Sequence, residues 1–120
     1  MVEKVNVAEK FTRFDERWSP KIVGELNDFH VKAVKVEGEF VWHTHEVEDE
    51  LFYVVMGRLV IRLRDGDVVL DPGEFAVIPH GTEHLPVADE ETHVLLLEPK
   101  TTVNTGAVGG ERTVETLERI

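Results

Sequence analysis

Two histidines one residue apart stand ahead of an apolar run in the stretch VWHTHEVEDELFYVVMG, which spans residues 41–57. Side chains alternate between the two faces of a strand, so His43 and His45 project to the same side and can share one ion. The acidic segment after them is expected to be a loop, and Glu50 is expected to begin the next, antiparallel strand on that side. Taken alone, the two histidines are better explained as solvated side chains on an exposed strand.

A third histidine favours the metal-binding interpretation. His84 follows a tight turn at residues 79–81, and this turn reverses the chain so that His84 can face the same interior. Three imidazoles and one carboxylate suit one divalent transition metal, with Fe, Mn, Ni, Zn, Co and Cu all possible. The predicted ligands are His43, His45, Glu50 and His84. Positions left open on such an ion can take water, a small-molecule substrate or dioxygen.

Large apolar residues accompany the predicted ligands. Strand alternation places Phe52 and Met56 on the side of the Glu50 carboxylate, and Phe75 lies on another predicted strand. These three side chains are expected to line a substrate pocket, and the alternative is that they only fill the interior. The aromatic residues expected on the opposite face of the sheet are Phe40, Trp42 and Tyr53.

Three other histidines are not expected to bind the metal. His80 lies inside the PHG turn and is expected to be exposed to solvent. His93 shares a strand face with Leu95 and Leu97, which places it in the core or behind the ligands. His30 is expected on the surface of a strand.

Composition restricts the classes of function. The chain has 120 residues, enough for one domain with a real core, and 42% of them are hydrophobic. Its formal net charge of −11 disfavours binding to nucleic acid or to an anionic membrane surface. No cysteine is present, which excludes disulfides and thiolate ligands. The N-terminus lacks the apolar stretch of a signal peptide, so a soluble, cytoplasmic protein is expected.

Strands are the main elements that must position these residues. A short helix is predicted over residues 7–14 from the spacing of its apolar residues, with Asn6 and Glu9 placed as in a capping box. About nine short strands with close turn signals follow, which is typical of an antiparallel sandwich or barrel. The tail is expected to be an extended arm with a short helix around Val114 to Glu118.

We therefore expect a single domain in three parts. Residues 1–28 would form the N-terminal helix and a leading strand, residues 29–100 the barrel, and residues 101–120 the C-terminal arm.

Two spaced motifs resemble those of small single-domain cupins of the conserved-barrel type. The first motif reads here as Gly38, His43, His45, Glu50 and Gly57, and the second as Gly73, Pro79, Gly81 and His84. The spacer between Gly38 and His43 is one residue shorter than in the family pattern, and Ala88 stands where the family often has asparagine. The resemblance implies an all-β fold, an antiparallel double-stranded β-helix or jelly-roll barrel, together with a bound metal and a homodimer.

The resemblance leaves the activity open, because one fold supports many functions. The first hypothesis is a metal-dependent enzyme, dioxygenase- or isomerase-like, that acts on a small molecule; no separate acid or base stands out. The alternative is a non-catalytic module that binds a small ligand or is braced by its metal. The chain also resembles mannose-6-phosphate isomerase-like cupins, but no cluster of Lys and Arg accompanies the motifs. Arg58, Arg62 and Arg64 share one strand phase and are expected on a solvated face.

Overall fold

A short helix precedes the sheet. In the computed structural model, which describes residues 2–106 and 108–120, α1 (Val7–Lys10) continues as a 3₁₀ turn over Phe11–Arg13. The Asn6 side chain caps the helix by accepting a hydrogen bond of 3.0 Å from the Glu9 N–H. Only this half of the predicted capping box forms, because the Glu9 carboxylate pairs with Arg13 instead.

Eight strands make up the rest of the regular structure in the described residues. They are β1 (Lys21–Leu26), β2 (Phe29–Glu39), β3 (Glu50–Met56), β4 (Leu59–Leu63), β5 (Gly66–Leu70), β6 (Phe75–Ile78), β7 (His84–Pro99) and β8 (Glu118–Arg119). The hydrogen-bonded order is β5-β4-β7-β2-β1-β8, and β3 joins β7 to β6. Apart from the β1–β8 pair, the named strands are antiparallel. The predicted jelly-roll barrel with a short N-terminal helix is confirmed.

The strand β7 organises the barrel. Its first residues pair with β4, its middle and end pair with β2, and the same end also pairs with β3. The prediction of two separate strands, HLPVA and THVLLLEP, is therefore wrong. The connecting residues 89–91 contain no glycine, proline or asparagine to end a strand, so the chain continues through them.

The C-terminal arm does not contain the predicted helix. Residues 114–118 form a bend and extended chain, and β8 adds to the sheet beside β1, with Lys21 opposite Glu118. The Lys21 ammonium also lies 3.0 Å from the Glu118 carboxylate. A helix this short is marginal without packing, and strand pairing satisfies the backbone instead.

The apolar core fills the barrel. Its buried residues come from β2, β3, β4 and β7 above all, and Val54, Leu59, Ile61 and Val94 are almost fully enclosed. A second cluster packs Phe11 against Ala33 under the N-terminal helix. Among the described residues, no helix is long and apolar enough to cross a lipid bilayer.

Candidate metal centre

Backbone pairing brings the two histidine motifs together. The segment that holds His43 forms an isolated antiparallel bridge with the first residue of β7, His84. The His43 N–H donates to the His84 carbonyl at 3.0 Å, and the His84 N–H donates to the His43 carbonyl at 2.9 Å. The turn at residues 79–81 is hydrogen-bonded to the first histidine motif, because the Gly81 N–H donates to the His45 carbonyl at 2.8 Å.

Glu50 enters the site as the first residue of β3. The acidic loop before it lets the chain turn back, so its side chain points inward with Phe52 and Val54. One possible ligand atom from each predicted residue lies within 4.8 Å of the others, and all four residues are buried. This group consists of His43, His45, Glu50 and His84.

Three of the converging atoms have no hydrogen-bond partner. The atoms His45 Nε2, His84 Nε2 and Glu50 Oε1 are buried and unsatisfied. Glu50 Oε1 lies 3.6 Å from His45 Nε2 and 3.4 Å from His84 Nε2, which is long for a hydrogen bond. Leaving buried polar atoms unpaired is costly, so a cation between them would remove the cost. The residues present therefore fit a divalent metal.

Hydrogen bonds orient two of the imidazoles towards this centre. His43 Nδ1 lies 2.8 Å from the Val41 carbonyl, and His84 Nδ1 lies 2.9 Å from the Thr82 carbonyl. A carbonyl only accepts, so each Nδ1 carries the proton and each Nε2 keeps its lone pair for a ligand bond. Burial above all, together with the nearby His84, lowers the pKa of His43 to about 4, so the ring is neutral at pH 7.

A buried ion pair stands behind the ligands, and the sequence analysis missed it. Lys32 of β2 and Glu98 of β7 point inward, and Lys32 Nζ lies 2.7 Å from Glu98 Oε1. Burial raises the pKa of Glu98 well above its ordinary value, and the neighbouring Glu50 raises it further against the effect of Lys32. The alternation of side chains along β2 could have predicted that Lys32 points inward, because Lys32 shares its strand face with buried Val34.

The pKa of the adjacent Glu50 carboxyl is shifted in the opposite direction. Burial raises its pKa, but the neighbouring Glu98 carboxyl and two imidazoles outweigh burial and hold the pKa well below its ordinary value. The two carboxyls therefore titrate as a coupled pair, and Glu98 is the harder of the two to ionise. Glu50 is left as the carboxylate, which is the form that binds a cation.

An apolar cavity opens beside the histidines. It has an empty volume of about 430 Å³, part of it open to solvent, and its walls include Trp18, Phe40, Phe52, His43 and Glu50. Phe52 is among the residues that line this cavity. The predicted opposite-face position of Phe40 is wrong, because this residue lies outside the regular strands and its N–H pairs with Pro86.

Two of the predicted pocket residues do not reach this cavity. Met56 is 46% exposed, because a register shift in the β3–β7 pairing between Val54 and Met56 breaks the alternation. Phe75 is 60% exposed, because Ile78, with the opposite phase on β6, takes the inward position.

The other histidines lie outside the ligand cluster. His80 is exposed and bonds to Asp49 at 2.8 Å, as a turn residue should. His93 stacks on Phe11 with ring centroids 4.4 Å apart and bonds to Glu91. His30 was expected on the surface, but its side chain is only 12% exposed and its Nδ1 is buried without a partner.

The geometry can now be compared with known proteins. A sequence model of the family described as "Cupin domain" matches residues 30–99, more than half of the chain. The chain belongs to the cupin family. A solved cupin-2 domain protein from Shewanella frigidimarina is 48% identical to this cupin with a TM-score of 0.79, over 80% of this chain and 94% of that one.

Two curated relatives also match this cupin. YdbB of Bacillus subtilis, an uncharacterized protein, is 37% identical over 79 residues, which cover 65% of this chain and 70% of YdbB. The 3-hydroxyanthranilate 3,4-dioxygenase 2 of Aspergillus fumigatus is 32% identical over 78 residues, which cover 62% of this chain. The match spans only 42% of the dioxygenase.

Proposed function

We propose that this cupin is a metal-dependent enzyme of dioxygenase type that acts on a small molecule. The observation that carries the proposal is the convergence of three buried, unpartnered ligand atoms from His45, Glu50 and His84. The likeness to a curated dioxygenase supports the same reaction class. A divalent metal held there would act as a Lewis acid or bind dioxygen beside the substrate.

The chain's own residues would set the conditions for that chemistry. A neutral His43 imidazole and an ionised Glu50 are in the forms that bind a cation. The walls of the cavity are mainly apolar, and the Lys32–Glu98 pair lies behind Glu50.

Elemental analysis tests the proposal. Protein purified without chelator or nickel affinity resin is expected to contain close to one equivalent of a transition metal. The substitution His45→Ala should lose metal and oxygen-consuming activity together, while His80→Ala, in an exposed turn, should retain both. Full activity of a metal-free preparation would overturn the proposal.

A non-catalytic role for the metal is the second candidate. A cation that satisfies the buried atoms of Glu50 and His84 would brace the barrel whether or not turnover occurs. This candidate predicts metal-dependent stabilisation with no consumption of any bound ligand. Turnover of a ligand that also raises the melting temperature would exclude it.

We also propose that two copies of this cupin pair along the exposed edge strand β6. Phe75 and Val77 are both more than half exposed on β6, which is an edge strand. An exposed apolar edge strand is a ready template for pairing. Light scattering should find a dimer for the unmodified protein and a monomer for Phe75→Glu, and a monomeric unmodified protein would contradict the pairing.

A further inference from the structure

A second cavity lies under the C-terminal arm, apart from the candidate metal centre. It has an empty volume of about 460 Å³, part of it open to solvent. The arm supplies one side of it through Val114, Glu115 and Leu117, and β1 and β2 supply the other through Ile22 and His30. Its described walls contain none of the four candidate metal ligands. The cavity is therefore a separate place for a small molecule.

Two polar side chains in these walls lack hydrogen-bond partners among the described residues. The atoms His30 Nδ1 and Thr102 Oγ1 are buried and unsatisfied. Thr102 is only 7% exposed, and the His30 side chain is only 12% exposed. Buried polar atoms without partners are costly, and an imidazole N–H and a hydroxyl can both donate. A ligand with acceptor oxygens would therefore supply the missing partners.

Two ammonium groups add further donors to the cavity. Lys32 and Lys100 both line it. The Lys32 Nζ lies 2.7 Å from one oxygen of Glu98, which leaves two of its three N–H groups for other acceptors. The Lys100 ammonium shares the Glu25 carboxylate with the Arg119 guanidinium, so two cations face one anion. This excess of donors and of positive charge favours a small anion.

The rest of the wall is mainly apolar. Its apolar side chains are Pro20, Ile22, Val114 and Leu117. The Asn104 amide also lines the cavity, but it is held by the Arg112 carbonyl and the Val114 N–H. The one acidic side chain in the described walls, Glu115, is exposed, so solvent screens its charge. A ligand that fits both parts of the wall has an anionic end and a short apolar body.

We propose that this second cavity binds a small organic monocarboxylate with a short apolar tail. The carboxylate accepts hydrogen bonds from His30, Lys32 and Thr102, and the tail packs against Ile22 and Leu117. The site is independent of the proposed metal chemistry, because it uses no candidate metal ligand. Its occupant would tie the C-terminal arm to the barrel, since its contacts come from both.

Calorimetric titration of the protein as purified tests the proposal with four probes. Butyrate has the proposed form, butyramide is its uncharged analogue, acetate lacks most of the tail, and inorganic phosphate lacks a tail altogether. Butyrate is expected to bind at least about tenfold more tightly than butyramide, because hydrogen bonds to a charged acceptor are stronger. It should bind about tenfold more tightly than acetate, because two more methylene groups leave water. Phosphate should bind more weakly than butyrate.

Matched variants locate the binding. Thr102→Val keeps the shape of the side chain, and the loss of its hydroxyl should weaken butyrate binding by about tenfold. Thr101→Val makes the same change at the next position, where the hydroxyl bonds to Glu48 at the surface, and should leave binding unchanged. Leu117→Asn should weaken butyrate binding but not acetate binding. His45→Ala, which removes a candidate metal ligand, should still bind butyrate. The melting temperature of each variant shows whether it is folded.

The contrary outcomes are distinct. Butyramide or phosphate that binds as tightly as butyrate would overturn the carboxylate assignment. Loss of butyrate binding in His45→Ala, with full binding in Thr102→Val, would place the carboxylate on the metal and overturn the second site. No binding of butyrate at millimolar concentration would overturn it as well. Each of these results leaves the proposed metal enzyme standing, whereas a protein that binds butyrate but no metal would overturn the enzyme alone.

Discussion

Lys32 and Glu98 form an ion pair of 2.7 Å inside the barrel, with side chains only 2% and 1% exposed, directly behind the proposed metal ligand Glu50. Two charges enclosed in this way are costly to desolvate, and each depends on the other for compensation. The pair joins β2 to β7, the two strands that make the longest contact in the sheet. It therefore couples the stability of the barrel to the position of Glu50.

Removing one member of this pair should destabilise the protein strongly. Lys32→Met leaves Glu98 and Glu50 without a buried cation, and the expected loss is about 3–5 kcal/mol in the free energy of unfolding. The double variant Lys32→Met, Glu98→Leu should recover most of it. Urea denaturation measures both, and Lys100→Met, which removes a surface partner of Glu25, should have a much smaller effect. A Lys32→Met variant as stable as the unmodified protein would contradict the coupling.

The metal-free protein should lose stability as the pH falls. The pKa of His43 is about 4 in the fold and about 6.5 when unfolded, so the unfolded chain binds more protons between these values. This contribution to the free energy of unfolding is fully present above pH 6.5. It amounts to about 3 kcal/mol and is lost as the pH falls towards 4. Denaturation in chelator at several pH values measures this loss. His43→Asn should flatten the dependence, and a variant with the unchanged slope would refute this cause.

Metal occupancy should fall over the same acidic range. The imidazoles must be neutral to bind, and protons compete with the ion below about pH 6.5. Dialysis at stepped pH followed by elemental analysis should show metal at pH 7.5 and little at pH 4. Occupancy that stays constant down to pH 4 would show that these imidazoles are not the ligands.

Metal should also raise the melting temperature of the chelator-treated protein. A ligand that binds only the folded state at one hundred times its Kd adds about 2.7 kcal/mol of stability. Calorimetric scans with and without added zinc measure the shift. Glu50→Gln should abolish most of it, while His80→Gln, outside the cluster, should retain it. An equal shift in both variants would place the metal elsewhere.

Gly57 should tolerate alanine much less well than Gly73. Both have left-handed backbones, with φ of 91° and 88°. An alanine Cβ at Gly57 would lie 2.9 Å from the Thr92 Cα, whereas one at Gly73 meets nothing within 4 Å. Gly73→Ala should lower the free energy of unfolding by about 1–2 kcal/mol from backbone strain alone. Gly57→Ala should lower it by distinctly more, because it adds the contact with Thr92. Equal losses in thermal unfolding would mean that the contact with Thr92 is not limiting.

Local patterns predicted much of this molecule. The N-terminal helix, most strand positions and an antiparallel sandwich or barrel followed from periodicity and turn residues, which act over a few neighbours. The jelly-roll topology was implied by the resemblance to cupins. The clustering of His43 and His45 followed from strand alternation, and the reach of His84 followed from the turn before it. The positions of Met56 and Phe40 were not predictable in this way, because a register shift and an irregular segment broke the alternation.

The sequence by itself determined which side chains make up the candidate ligand set and that strands and turns present them, because both depend on residue type and short-range geometry. Only the tertiary structure decided that Lys32 meets Glu98 across 66 positions of sequence, and that Phe40 and Trp18 close an apolar wall over the site. Those contacts depend on the register between distant strands and on where the arm and the N-terminal segment pack. Long-range burial of this kind is cooperative, and no local pattern contains it.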